Sequence, residues 1–198
     1  MAVSIEDIKK LKELTGVGLT DAKVALVEAD GNFDKALEAM RKKGLTKAEK
    51  KGDRETREGI IDSYVHSGRI GVIVEVNCET DFVARLPEFK EFAHQIAMQI
   101  AAMNPSYSTM EDIPAEALEA KKQELLESES LKSKPENMRE QIVEGQLKKH
   151  FAEQVLMEQA YILDDSMKVA DRVKEQIAKA GENIRISQFK RIELGITE

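Results

Sequence analysis

Apolar residues recur at helical spacing through the first forty positions. Ile5, Ile8, Leu11 and Leu14 share one face of a helix, and Phe33, Ala36, Leu37 and Met40 share a face of another. With "DAKVALVEA" between them, the pattern predicts three short helices over residues 4–43. Ser4 with Asp7 three positions on resembles a capping box, Thr20 is placed to cap the second helix and Asn32 the third. "TGVG" and "DGN" break the chain between helices, and Gly44 is expected to stop the third. A bundle this small has a thin core, and modules of that kind usually serve for docking.

From Gly59 the period changes to two. "GIIDSYVHSGRIGVIVEVNCE" predicts two strands joined by a hairpin turn at His66-Ser67-Gly68-Arg69. In the second strand Ile70, Val72, Val74, Val76 and Cys78 share one parity, while Arg69, Gly71, Ile73, Glu75, Asn77 and Glu79 share the other. One face is therefore core and the other largely wet, with Cys78 as a small core hydrophobe. After Leu86 the helical period returns. Pro87 suits a first helical position, and Phe89, Phe92, Ala93, Ile96 and Ile100 make the stripe of a helix running to Met103.

Two more helical segments begin near Pro114 and Pro135, the second running to Gln159, with the polar "ESLKSK" between them. They predict a helical hairpin over about 114–160. A further helix over 166–180 precedes Gly181, and "NIRISQFKRIEL" returns to period two, with Phe189 out of phase as at a bulge. The expected class is α+β: a three-helix module over 1–55, then a core over 56–198 with a small, mostly antiparallel sheet packed with helices and a helical hairpin.

Composition narrows the function classes. The 198 residues are 41% hydrophobic with a net charge of −7, which disfavours general attraction to nucleic acid or an anionic membrane. One cysteine excludes an intramolecular disulfide, and no apolar run reaches signal-peptide or membrane-span length. A cytoplasmic protein is expected, with no membrane partner. The basic stretch "RKKGLTKAEKKGDRETRE" reads first as a solvated helix and linker. RNA contact through residues 41–57 is the alternative, although it lacks interleaved aromatic residues.

Catalytic chemistry finds no foothold. "TGVG" lacks the lysine and preceding strand of a phosphate loop, and His66, His94 and His150 are not at metal-ligand spacing. No Cys-x-x-Cys occurs, and Asp164-Asp165 reads as a turn. The expectation is a binding protein with neither metal nor cofactor, not an enzyme.

The unexplained stretch is "NCETDFVARLP", residues 77–87. Phe82 follows directly on a finished strand, while Thr80 and Asp81 could cap a helix beginning there. From the residues alone, Phe82 is either a core or capping residue or a wedge for another protein.

The segments "LKELTGVGLTDAKVALVEADGNFDKALEAMRKKG", "VEVNCETDFVAR" and "IAKAGENIRI", in that order, closely resemble the bacterial translation elongation factor Ts family. "NCETDFVAR" is the specific motif, and the first segment alone would fit any ubiquitin-associated-like module. The resemblance implies a guanine-nucleotide exchange factor for elongation factor Tu. By the same resemblance Thr80, Asp81, Phe82 and Val83 enter the nucleotide domain of Tu and lead to Mg²⁺ dislocation, and Asp21, Ala22, Lys23 and Val24 dock the N-terminal module. The short span from Pro105 to Tyr161 matches a compact form of the family, for which pairing as a homodimer is expected. Gln159-Ala160-Tyr161 stands where the family often carries Gln-Pro-aromatic. An RNA-binding translation accessory protein is the competing function. An adaptor for ubiquitin-like modifiers, a weaker one, would leave most of the chain unexplained.

Overall fold

The computed structural model describes residues 3–15, 17–49, 51–128 and 136–196. It forms two compact units, one of Met1–Met98 with Ala170–Glu198 and one of Gln99–Val169. The class is α+β, as the two periodicities require.

The first unit opens with α1 (Ile5–Thr15), α2 (Leu19–Glu28) and α3 (Phe33–Glu49). Leu11, Ala22, Ala25, Leu26, Ala36 and Met40 form their buried core, flanked by Ile8, Phe33 and Leu37. Ser4 caps α1 as expected: its hydroxyl accepts from the Asp7 N–H at 2.9 Å and donates to the Asp7 carboxylate at 2.7 Å. Asn32 caps α3 by accepting from the Lys35 N–H at 3.0 Å. Thr20 does not cap α2. The helix starts at Leu19, two residues earlier than that cap would place it, with Gly18 in the capping position, which leaves Thr20 inside the first turn.

Gly44 does not stop α3, which runs on to Glu49. The glycine is buried in the helix, and a Cβ on it would lie 3.4 Å from the Cβ of Ala178. Close approach of two helices explains this glycine, and tertiary packing outweighs its poor helix propensity.

β1 (Glu58–His66), β2 (Ile70–Cys78) and β5 (Arg185–Glu193) form an antiparallel sheet with β2 in the centre. The β1–β2 hairpin closes by donation from the Arg69 N–H to the His66 carbonyl at 2.9 Å, with Ser67 and Gly68 both at positive φ, as a tight primed turn requires. The parity holds: Val72, Val74, Val76 and Cys78 are buried, and Gly59 lies so close to β2 that a Cβ would strike the Val76 carbonyl oxygen. β5 carries a bulge at Ser187, where Val76 pairs Ile186 but Glu75 pairs Gln188. That extra residue puts Phe189 opposite Val74 and explains the slipped phase.

α4 (Asp81–Arg85) follows β2, and α5 (Pro87–Met103) begins with its proline in first position. Phe89, Phe92, Ala93 and Ile96 are fully buried on α5, and His94 on the exposed side meets Asp62 of β1 at 3.0 Å. The Arg172 guanidinium lies over the Phe92 ring at 5.1 Å and donates to Gln95 at 3.3 Å.

In the second unit, α6 (Ala115–Glu127) and α7 (Glu136–Ala152) form the hairpin. The 129–135 connection and the side chain of Met138 lie outside the described residues. Ile113, Phe151 and Val155 are the core, flanked by Tyr107, Leu118 and Leu147, while Ile142 is half-buried. The second helix ends at Ala152, not at Gln159. Gln154 accepts from the Ser106 and Tyr107 N–H groups, and Val155 forms a parallel bridge with Tyr107, so non-local pairing draws the chain out of its helix.

Gln99 and Gln159 are buried polar residues, and both are satisfied. The Gln99 amide donates to Gln159 at 3.2 Å and to the Ala160 carbonyl at 3.1 Å, and its oxygen accepts from the Ile162 N–H at 2.8 Å. Gln159 donates in turn to the Glu153 carbonyl at 2.9 Å. A second small sheet, β3 (Ala160–Tyr161) with β4 (Asp164–Lys168), takes residues 166–168 out of the expected helix. The last helix, α8, is Val169–Ala180. Asp164 and Asp165 do not form the expected turn, which falls at Ile162-Leu163: they open β4, where the Asp164 carboxylate accepts from the Ser166 N–H and hydroxyl at 3.2 and 2.6 Å.

Candidate functional site

Where β2 ends, the backbone turns away from the sheet through Glu79 and Thr80. Thr80 has extended backbone angles and caps α4, its hydroxyl accepting from the Val83 N–H at 3.5 Å. Asp81 occupies the first turn, where the helix dipole favours an acid, and pairs with Arg85 at 2.8 Å. α4 packs on β1 and β2 through Val83 and Ala84, both buried. That registers the next residue outward. Phe82 is 80% exposed.

This excludes a core role for Phe82 and leaves Thr80 as the cap. Burying a phenylalanine side chain is worth about 1.5–3 kcal/mol, and the ring forfeits nearly all of it in the free chain. Only a second molecule can recover that energy. The four motif residues therefore divide the work: Thr80 caps, Val83 anchors, Asp81 holds Arg85 across the short helix, and Phe82 is presented.

The element is tied down from outside its own segment. Beyond Gly181, whose N–H closes the end of α8 on the Ile177 carbonyl at 2.9 Å, Glu182 turns back toward β2. Its carboxylate accepts from the Glu79 N–H at 3.0 Å, the Thr80 N–H at 2.9 Å and the Thr80 hydroxyl at 2.6 Å. Glu79 reciprocates, accepting from the Asn183 N–H at 2.6 Å and from Arg54 at 3.4 Å. Asn183 then donates to the Gly52 and Arg54 carbonyls at 3.1 and 2.7 Å, and Lys51 to the Gly181 carbonyl at 2.5 Å. Lys51 and Arg54, from the basic stretch, are thus engaged within the chain. Cys78 completes the set, its thiol donating to the Thr80 carbonyl at 3.2 Å. Burial, helped by the Glu182 charge, pushes that thiol up to about 11.

Sequence reasoning did not single out Glu79, Glu182 or Asn183. One signal was available: Glu182 is an acid directly beyond a helix C-terminus, where the dipole favours cations, so its carboxylate serves something other than the helix.

The second group of expected residues lies on α2. Lys23 and Val24 are exposed, Asp21 is half-buried, and Ala22 is fully buried in the three-helix core. Ala22 therefore acts from inside, fixing the helix that displays its neighbours. Val27, one turn on from Val24, is also exposed and extends the apolar surface. These residues and the Thr80–Val83 element belong to one compact unit.

Comparison with known proteins bears on this arrangement. The family described as Elongation factor TS matches residues 7–196. Elongation factor Ts of Thermotoga petrophila is 56% identical over 196 residues, covering 98% of each chain. The Fervidobacterium nodosum protein of that name is 48% identical over 98% of this chain and 100% of its own. That of Thermodesulfovibrio yellowstonii is 47% identical over 100% and 99%. With its N-terminal helical module, its three-stranded sheet and the Thr80–Val83 element at the end of the central strand, the chain belongs to the elongation factor Ts family.

Proposed function

We propose that this chain is a guanine-nucleotide exchange factor that binds elongation factor Tu·GDP in the cytoplasm and promotes GDP release during translation elongation. Membership of the elongation factor Ts family supports the function, and the exposed Phe82 on a clamped five-residue helix is the observation that carries the mechanism. Phe82 inserts near the nucleotide site of Tu and displaces the elements that hold Mg²⁺. That ion demands near-ideal octahedral geometry, so a small displacement costs much of its binding, and GDP loses its bridge to the protein. Thr80 and Val83 keep the wedge in place, and Asp81 supplies charge beside it. Residues 1–55 dock first, through Lys23, Val24 and the neighbouring Asp21, with Ala22 as their internal support.

The magnitudes are compatible. A thousandfold acceleration of release needs roughly 4 kcal/mol off the barrier. A buried aromatic anchor at an interface supplies about 2–4 kcal/mol, and the α2 contact contributes to the remainder. GDP must weaken binding of this chain by the same factor that the chain weakens GDP binding, so fresh nucleotide displaces it and it turns over without covalent chemistry.

Pairing of two copies completes the proposal. The outer face of the sheet exposes Ile61, Val65, Ile73 and Ile192, the last at 73%. Val65 and Ile192 both face Gly71 of β2 across the ladder, and Ile73 is two residues along, so one end of that face is apolar. A second copy would cover it.

The test is release of fluorescent GDP from Tu·Mg²⁺·GDP with the parent chain and with Phe82→Ala. Phe82 makes no core contact, so the variant should keep its melting temperature while losing most of the acceleration, about 30-fold or more. Equal acceleration by both would remove Phe82 from the mechanism, and no acceleration by the parent would remove the function.

A further inference from the structure

A five-residue helix cannot hold an exposed ring in one direction unaided. Forming a helical turn fixes several dihedral angles for very few hydrogen bonds, so isolated short helices do not persist. α4 has Val83 and Ala84 to seat it on the sheet, but they do not set the direction in which the chain enters it. That direction depends on Thr80, the residue between strand and helix. We propose that Glu182 is the positioning residue of the exchange element, holding Thr80 at two points so that Phe82 is presented in one fixed orientation. The proposal rests on the reading of Thr80–Val83 as the element that drives GDP release.

The geometry is specific. One carboxylate oxygen of Glu182 takes the Glu79 and Thr80 backbone N–H groups, and the other takes the Thr80 hydroxyl. A hydroxyl has a single proton. Once that proton is given to Glu182, the oxygen lone pairs are turned toward the Val83 N–H, which is the capping contact. Glu182 therefore sets the rotor that caps α4 as well as the backbone leading into it. The Cys78 thiol on the Thr80 carbonyl restrains the same residue from a third side.

The arrangement is unfavourable for α8 taken alone. An acid beyond a helix C-terminus meets the negative end of the dipole. Glu182 is also drawn close to the partly buried Glu79, and the Glu79 carboxylate needs donors from Asn183 and Arg54 to sit there. The bonds Glu182 itself makes in return all go to Glu79 and Thr80, which points to the loop as the purpose of this carboxylate.

The test uses the full chain and fluorescent GDP on Tu, at rising concentrations of the parent, Glu182→Ala, Glu182→Gln, Phe82→Ala and the Glu182→Ala/Phe82→Ala double variant. Bonds to a charged group are the stronger class, so Glu182→Ala should lower the maximal release rate about tenfold or more. The half-saturating concentration, set largely by α2, should change by about twofold or less, within the reach of a weakened rim contact. Glu182→Gln keeps an oxygen for the backbone donors but cannot accept the hydroxyl with its NH₂, and should fall between. In the Phe82→Ala background Glu182→Ala should cost nothing further, because residues acting as a unit are not additive.

Amide hydrogen exchange is the second readout. Thr80 and Val83 should exchange faster in Glu182→Ala while β1 and β2 keep their protection. An undiminished maximal rate, an equal loss in both backgrounds, or unchanged amide exchange at Thr80 would each overturn the proposal. If Phe82→Ala accelerates release as well as the parent, the wedge reading fails and the amides decide alone: faster exchange keeps Glu182 as the clamp, and unchanged exchange removes it. Should Glu182→Ala not fold, Glu182→Gln carries the same comparisons.

Discussion

Cys78 closes the buried row of β2, and its protonated thiol reaches the Thr80 carbonyl at the root of α4. Its ordinary value of 9.0 is pushed up to about 11 in the fold, chiefly by burial. Below about pH 8 the thiol is protonated in both folded and unfolded chains, and it adds no pH dependence. Between about pH 9 and 11 the unfolded chain sheds a proton that the folded chain keeps, so stability falls as pH rises. Two pH units correspond to a loss on the order of 2–3 kcal/mol, complete once the folded thiol also ionises. Urea midpoints of the parent and Cys78→Ala, taken from pH 8 to 11, check this. The parent should fall more steeply, and parallel curves would mean that the thiol is not what the alkaline limb reports. Periodicity alone placed Cys78 in the core. Its bond to Thr80 was not legible, because alternation gives a residue's face and not its partner.

At the scale of elements, Gly44 separates two kinds of glycine. The "DGN" turn uses Gly31, at positive φ, to break the chain, and by analogy Gly44 is expected to end α3. It lies instead where α3 and α8 come together, at a spacing in which a Cβ would just reach Ala178 and a longer side chain would press the helices apart. Gly44→Ala should be neutral or stabilising by up to about 1 kcal/mol, since helix propensity improves and the new Cβ meets Ala178 only at ordinary contact distance. Gly44→Leu should cost about 1–3 kcal/mol by forcing the helices apart. Thermal unfolding of both variants decides it, and a leucine tolerated as well as alanine would show that close approach is not the reason for the glycine. The same limit on local pattern explains the hairpin. The apolar rhythm through Phe151 and Val155 reads as one helix to Gln159, yet pairing with residues 106–108 ends it at Ala152.

For the whole molecule, the consequential surface is the outer face of the three-stranded sheet. A parity that predicts "largely wet" has Ile61, Val65, Ile73 and Ile192 among its members, and all four are exposed. An Ile73→Lys/Ile192→Lys double variant places two charges on that face without touching the buried row. If two copies pair there, sedimentation should find the parent at twice the chain mass and the variant at the chain mass, with unchanged circular dichroism. A parent that sediments as a single chain at micromolar concentration would end the pairing proposal. The variant should also keep the effect of Phe82→Ala on GDP release if each copy acts through its own α4.

What the sequence determined by itself is what short-range geometry encodes. Period 3.6 and period 2 mark the helices and strands, Ser4 and Asn32 announce their caps, the phase slip at Phe189 betrays the bulge at Ser187, and Phe82 stands out as an apolar residue placed just past a completed strand. Tertiary structure decided what depends on contacts between distant segments. Phe82 is outside because Val83 and Ala84 are inside, and it is held because Glu182 closes on Thr80, from which it is 102 residues distant in the chain. Gln99 meets Gln159 across 60 residues in the same way. No local pattern carries such pairs. The backbone repeat constrains each residue against neighbours a few positions away, whereas these bonds exist only after the chain has brought its far segments together.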